Sequence, residues 1–342
     1  MTLMRKVSAS LFALAITLGA GVAVADAAEK LVISSWAPPT HGINAKLWPR
    51  FIEMVEKATD GRVTAEIKYK LAPPPAQFDL VQDGAADFTW IFHGYNPGRF
   101  VATKLIELPG YEGSAEAASV AYWRAYEKFL NTADEHKGVK LIALHTHGPG
   151  QLHSAKKVTS LAEIKGMKLR LGGGVSGDVG AALGATGIRV PAPKVYETLS
   201  SKAADGVMMP MEGKKGFKLT EVAQHTYQMP GGFYRGSFAL IMNEDKFKSL
   251  PEQDQKALMT IFGETVSQMS GKVWDEIDAT GTEATKTTDG NSLNMANEAD
   301  QQAYDEMAKP IRAKVIGEVA AKGVDAQAAV DFIAKEMSSY GK

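Results

Sequence analysis

The stretch Met167-Lys168-Leu169-Arg170-Leu171-Gly172-Gly173-Gly174 decides how this chain folds. Met167, Leu169 and Leu171 alternate with Lys168 and Arg170, the period-two pattern of a strand with one apolar face. Three glycines end it, and Ser176 is expected to cap the helix that follows. Arg170 therefore lies near the carboxyl end of a strand, beside a loop without side chains, where ligands bind in open α/β sheets. A guanidinium stays charged at every relevant pH and presents a planar fork of donors that matches a carboxylate. The expectation is that Arg170 grips a small anion; the competing reading is an arginine on a solvated sheet edge, paired with a nearby acid.

Outward from this strand the chain alternates strands and helices. Upstream, Leu31–Trp36, Val63–Tyr69 and Asp87–Phe92 read as strands. Between them lie a helix opening at Asn44 and a short one over Ala76–Gln82. A helix over Ser114–Leu130 and a strand over Val139–His145 follow. Downstream of Arg170 come a helix to Leu183, a strand at Ile188–Val190, a helix from Lys194 to Ala203 and a strand at Gly206–Met209. Further strands are expected at Tyr227-Gln228 and Ser237–Met242, then one long helical segment from Leu250 and Pro251 to about Thr285, and helices over Glu298–Met337. Such alternation specifies α/β layering with parallel sheet. Two segments echo each other: Asp83-Gly84-Ala85-Ala86-Asp87 and Lys202-Ala203-Ala204-Asp205-Gly206 both lead from a helix end into a strand. Two similar lobes facing across a cleft are implied.

Composition narrows the function. The 342 residues are 45% hydrophobic with a net charge of −1, so neither a nucleic-acid field nor a polybasic membrane patch is present. There is no cysteine, which excludes disulfides, thiolate nucleophiles and cysteine-held metals. Arg5 and Lys6, the apolar run Leu11–Val24 and Ala23-Val24-Ala25 form an export signal over residues 1–25, placing the mature protein in the periplasm without stable membrane insertion.

Catalytic and cofactor motifs are incomplete in this chain. Gly172-Gly173-Gly174-Val175-Ser176-Gly177 satisfies G-x-G-x-x-G, yet the next strand, Ile188-Arg189-Val190, ends without the acid that would hold a ribose. His145, His147 and His153 lack a further ligand at metal spacing. No nucleophile elbow or recognisable pair of acids appears. The expectation is a binder with no catalytic residue, no metal and no cofactor. Aromatics at strand ends and in Gly/Pro-rich turns, Trp36, Trp90, Phe92, Phe233 and Tyr234, are candidates to line its cleft.

Taken together the chain resembles the solute-binding proteins of TRAP transporters, the C4-dicarboxylate-binding type. The resemblance runs through Trp36-Ala37-Pro38-Pro39-Thr40-His41, Asp83-Gly84-Ala85-Ala86-Asp87, Pro97-Gly98-Arg99-Phe100, Ile164-Lys165-Gly166-Met167-Lys168-Leu169-Arg170 and Val195-Tyr196-Glu197-Thr198-Leu199. It implies a two-lobed α/β fold of the class II periplasmic-binding-protein kind, with crossing hinge strands and one long spanning helix. Lobe I is assigned to residues 29–150 plus 238–275 and lobe II to 151–237 plus 276–342. It implies delivery of an organic acid to a membrane permease, with Arg170 on the carboxylate. Two departures mark the pocket. Val207-Met208-Met209 stands where many relatives have Gln-Glu-Asn, and a second arginine is replaced near Gln151. The expected site is therefore Arg170, Trp36, His41, Gln77, Trp90, Phe92, Gln151, Gly172, Met209 and Phe233, taking an aromatic or branched monocarboxylate in preference to a sugar acid.

Overall fold

The computed structural model describes residues 28–341, so the export signal expected over 1–25 lies outside the described residues. Among the described residues the strands are β1 (Glu29–Ser35), β2 (Val63–Tyr69), β3 (Phe88–Phe92), β4 (Val139–Thr146), β5 (Gln151–Ser154), β6 (Lys168–Leu171), β7 (Thr186–Arg189), β8 (Gly206–Met209), β9 (His225–Gln228), β10 (Ser237–Asn243) and β11 (Ser292–Met295). They form two sheets, of order β2-β1-β3-β10-β4 and β11-β9-β5-β8-β6-β7. No helix among these residues is long and apolar enough to cross a membrane.

The two sheets share one device. In each, the first strand of a β-helix-β-helix-β unit lies centrally with its two parallel partners on either side: β1 between β2 and β3, β6 between β7 and β8. The echoed aspartates hold these units together. Asp87 accepts from the Val32 amide at 2.7 Å and donates its own amide to the Val32 carbonyl at 2.9 Å. Asp205 treats Lys168 the same way, at 2.7 and 2.8 Å. Each aspartate thus pairs a strand-edge amide with its carboxylate and the same residue's carbonyl with its own amide, leaving neither group without a partner.

Three segments pass between the sheets. His147–Gly150 links β4 to β5, and Met229–Gly236 links β9 to β10; they pair through Gly150 and Tyr234. The third is the long helix Glu264–Thr287. Its Asp275 accepts from the amides of Ala115 and Glu116, at 2.7 and 2.9 Å, at the start of the helix Ala115–Ala125 that packs on β4. One turn on, Asp278 accepts from the Glu212 amide at 2.7 Å, in the loop after β8. Carboxylates three residues apart on one helix face thus bind orphan amides belonging to opposite sheets. Gly281 permits the close approach: a Cβ there would lie 1.9 Å from the Met211 carbonyl oxygen.

The helix expected to run unbroken from Pro251 divides into Glu252–Met259 and Glu264–Thr287. Gly263 adopts φ +97°, donates to the Ile142 carbonyl at 2.7 Å, and sits where a Cβ would meet the Trp123 ring at 2.8 Å. Ser176 does not cap its helix; Gly174 takes that place, and the Ser176 hydroxyl donates to the Gly173 carbonyl at 2.6 Å. Asn44 is likewise no cap: its amide donates to the carbonyls of Ala37 and Pro38. The short strands β5 and β11 carried no clear alternation.

His93, His136, His145, His147 and His153 are buried. Burial holds His136, His145 and His153 down to about 3 and His147 to about 4, and places His93 well below the ordinary value. The unfolded chain protonates these rings near ~6.5, so unfolding takes up protons below that pH. The stability they contribute is complete above pH ~6.5 and is lost as the pH falls toward the folded values. Buried carboxyls with raised values, Glu107 and Asp278 foremost, act in the opposite sense but are fewer. Denaturant midpoints should therefore fall steadily from about pH 6.5 to 4.5. Proton NMR should show five of the seven histidines not titrating above about pH 5. Rings that titrate normally in the folded protein would contradict this account.

Candidate functional site

Between the two sheets lies a cleft. Arg170 projects into it from β6, on the face opposite Leu169 and Leu171, which are buried in the core. The guanidinium is only 3% exposed. Its Nε donates to the Val190 carbonyl at 2.8 Å and one Nη donates to the Tyr95 hydroxyl at 3.4 Å. Among the described residues it forms no ion pair. The sheet-edge reading therefore fails: this is a buried cation with donors still to satisfy.

Tyr95 completes an anion cradle. Its oxygen accepts from Arg170 and, at 2.8 Å, from the Ala192 amide. Two accepted bonds leave its own proton to point at a ligand oxygen. Burial raises its value, so the phenol keeps that proton. Tyr95 follows β3 in the first sheet whereas Ala192 and Arg170 belong to the second, so the cradle exists only where the two sheets meet.

The walls are aromatic. Trp36 and Trp90 stack with centroids 3.9 Å apart and planes 10° from parallel. Their indole N–H groups donate to the Trp90 carbonyl and the Ser35 hydroxyl, at 2.9 and 3.1 Å, which fixes both rings. Phe238 lies against Trp90, Phe92 and Trp274, with centroids 5.1 to 5.7 Å away. A planar apolar solute would find flat, pre-ordered surface here.

Of the expected residues, Arg170, Trp36, His41, Trp90, Phe92, Gly172 and Met209 line this cleft. Gln77, Gln151 and Phe233 do not. Gln77 accepts from Ser34 and Thr89 and donates to the Ala72 carbonyl, bracing the Pro73–Pro75 turn. Gln151 exchanges both its amide groups with the Met229 backbone. Phe233 is fully buried against Tyr304 and Tyr227, and its neighbour Tyr234 faces the cleft in its place. Sequence reading named Tyr234 among the cleft aromatics and missed Tyr95, His147, Glu212, Phe217, Phe238 and Trp274. The three histidines set aside as a metal cluster do not converge: His145 stacks on Phe238, His147 lines the cleft, and His153 bonds Thr226 and the Met209 carbonyl in the other sheet.

A model of the bacterial extracellular solute-binding protein family 7, DctP, matches residues 33–318. The chain belongs to this family. A TRAP periplasmic solute-binding protein from Bordetella bronchiseptica, solved with (R)- and (S)-mandelate, superposes with a TM-score of 0.87. It is 38% identical, over 90% of this chain and 98% of that one. A marine metagenome TRAP solute-binding protein specific for aromatic acid ligands, solved with 3-hydroxybenzoate, superposes at 0.86 with 28% identity over 92% and 99% of the two chains. The outer membrane transporter protein TsaT of Comamonas testosteroni is 28% identical over 305 residues, 88% of this chain and 90% of that protein. The fold is the two-lobed one of TRAP solute-binding proteins, and the family role is capture of an organic acid, not catalysis.

Within this family member the glycine loop acquires a definite part. At the start of the helix Val175–Ala182, where a dinucleotide-binding loop would hold phosphate, Glu107 already accepts from the Val175 amide at 2.8 Å. Its other oxygen accepts from the amide and hydroxyl of Ser237 in β10. Gly173 has φ +109°, and a Cβ on it would lie 2.2 Å from the Gly94 carbonyl oxygen. Gly166 also has positive φ, +83°, but nothing lies within 4 Å of its Cβ position. Both Gly→Ala changes should therefore destabilise, by roughly 1 kcal/mol for Gly166→Ala from backbone strain alone and clearly more for Gly173→Ala, which adds the collision. Equal losses in denaturant unfolding would show that the close approach to Gly94 does not hold the loop.

Proposed function

We propose that this protein is the periplasmic receptor of a TRAP transporter for an aromatic monocarboxylate, exported by the signal over residues 1–25 and delivering its solute to the membrane permease. The observation that carries the reading is the buried guanidinium of Arg170, without an acid partner among the described residues, opening into a cleft walled by Trp36, Trp90, Phe92 and Phe238. In this reading the two Nη groups of Arg170 and the hydroxyl of Tyr95 hold the carboxylate while the ring lies along the tryptophan stack. Mandelate and 3-hydroxybenzoate, bound by the two similar structures, are acids of this kind. Met209 on the cleft wall adds apolar surface where a sugar acid would need hydrogen bonds. The lobes, residues 29–150 plus 238–275 and 151–237 plus 276–342, close on the solute because only the closed arrangement brings Tyr95 to Arg170 and Ala192.

Calorimetric titration of the mature protein with benzoate and mandelate tests this. Arg170→Ala should cost about 2–5 kcal/mol of affinity with unchanged thermal unfolding. Arg170→Lys should recover little, because an ammonium lacks the planar fork. Wild-type affinity in the lysine variant, or preference for hexuronates over aromatic acids, would refute the reading. Mass spectrometry of small molecules carried through purification identifies the natural solute.

A further inference from the structure

The cleft has a second polar end. From Arg170 the wall runs through Tyr95, then Trp36 with its ring 5.9 Å from Tyr95, then Trp90 stacked at 3.9 Å, then His41 with its ring 6.0 Å from Trp90. His41 faces Glu212, with Nε2 and a carboxylate oxygen 3.0 Å apart. Both side chains are buried and both line the cleft. The Ile43 amide donates to His41 Nδ1 at 3.2 Å, so a neutral ring carries its proton on Nε2. That Nε2 is buried and has no hydrogen-bond partner among the described residues, because the Glu212 oxygen beside it lies off the line of the N–H. The pair is held in place from outside: Asp278 accepts from the Glu212 amide at 2.7 Å, and Gly216 leaves room where a Cβ would come 2.5 Å from the Glu212 oxygen.

One unspent donor beside one carboxylate acceptor, both desolvated, is the complement of a hydroxyl group. A hydroxyl accepts through its oxygen and donates through its hydrogen in the same small volume. An ammonium could serve Glu212 but would leave the imidazole N–H unmet, and an aryl amine, its lone pair delocalised into the ring, would accept from it only weakly. A hydrogen or methyl would leave both unmet.

We propose that His41 and Glu212 form a hydroxyl-reading subsite at the end of the cleft away from Arg170, making this receptor selective for aromatic acids that carry a ring hydroxyl over their unsubstituted parents. This rests on the carboxylate reading above and adds to it. The carboxylate is anchored at Arg170, the ring lies on the tryptophan stack, and the ring hydroxyl accepts from His41 Nε2 while donating to Glu212.

The test is a set of matched acids on the mature protein: benzoate, 3- and 4-hydroxybenzoate, 3- and 4-aminobenzoate, phenylacetate, and 3- and 4-hydroxyphenylacetate. In the wild type at least one hydroxylated acid should bind about tenfold or more tightly than its parent, and more tightly than the matching amine. In His41→Phe and Glu212→Met the preference should shrink to about twofold, with thermal unfolding reporting separately that the variants fold. The proposal is overturned if no hydroxylated acid outbinds its parent in the wild type, or if the preference survives both substitutions. Because the wild-type comparison stands alone, misfolded variants do not shelter the idea. Parents and hydroxylated acids bound equally, with binding abolished by Arg170→Ala, would sink the subsite and leave the carboxylate reading intact. Failure of all these acids to bind would remove both.

Discussion

A guanidinium taken out of water and given no anion is among the more costly arrangements a fold can contain, on the order of several kcal/mol. Arg170 is in that position, with the Val190 carbonyl and the Tyr95 hydroxyl as its partners. Neither partner carries a charge, so in the proposed reading the deficit is relieved when a solute brings one. On that reading the same term supplies both the affinity and the selection for acids. It also explains why the surrounding wall can be apolar: with orientation fixed by one charged fork, the remaining surface needs only shape and flatness.

That arrangement depends on two sheets meeting at a fixed depth, and the chain secures this with carboxylates bound to backbone amides. Asp87 and Asp205 set the strand units within each sheet. Asp275 and Asp278 tie the long helix to one sheet each. Glu107 joins the start of the helix Val175–Ala182 to β10. Each bond satisfies a donor that would otherwise be orphaned at a helix or strand end. Burial opposes the charge on Asp275, Asp278 and Glu107, the last pushed up to about 7, but the amides they accept from offset part of that cost.

How much of this could be read in advance depended on whether the signal was local. The Arg170 strand was legible because alternation and a glycine stop lie within eight consecutive residues, and the aspartate echo because two short segments share a sequence. Trp36, His41 and Trp90 were legible through the turns they adjoin. Tyr95, Glu212, Phe217 and Trp274 were not: they reach the cleft from separate elements, and nothing in their neighbours distinguishes them from core. Phe233 and Tyr234 show a finer limit. The two are adjacent and both follow Gly231 and Gly232, yet the first goes into the core and the second lines the cleft, a difference that neither residue type nor the preceding turn reveals. Gln77 and Gln151 look like ligand groups in sequence, but backbone and side-chain partners within the fold consume their hydrogen bonds. The break at Gly263 was hidden because apolar spacing continues across it while the crowding comes from Trp123.

The glycine-rich loop illustrates why a motif gains meaning only from what faces it. Positive φ at Gly173 and Gly174, and the amide of Val175 at a helix start, are features that phosphate-binding loops also have. Here a Cβ on Gly174 would stand 2.2 Å from a Glu107 oxygen, so the small residue makes room for the chain's own carboxylate and not for a nucleotide. On the other side of the same turn, a Cβ on Gly172 would lie 3.1 Å from the Phe92 ring and 3.9 Å from an Arg170 Nη, and Gly172 lines the cleft. One loop thus faces the chain's own Glu107 carboxyl on one side, which ties it to β10, and on the other, in the proposed reading, the solute that Arg170 holds. An arginine on a loose loop would relax toward water when empty, whereas this one is held beside the cleft with its charge uncompensated.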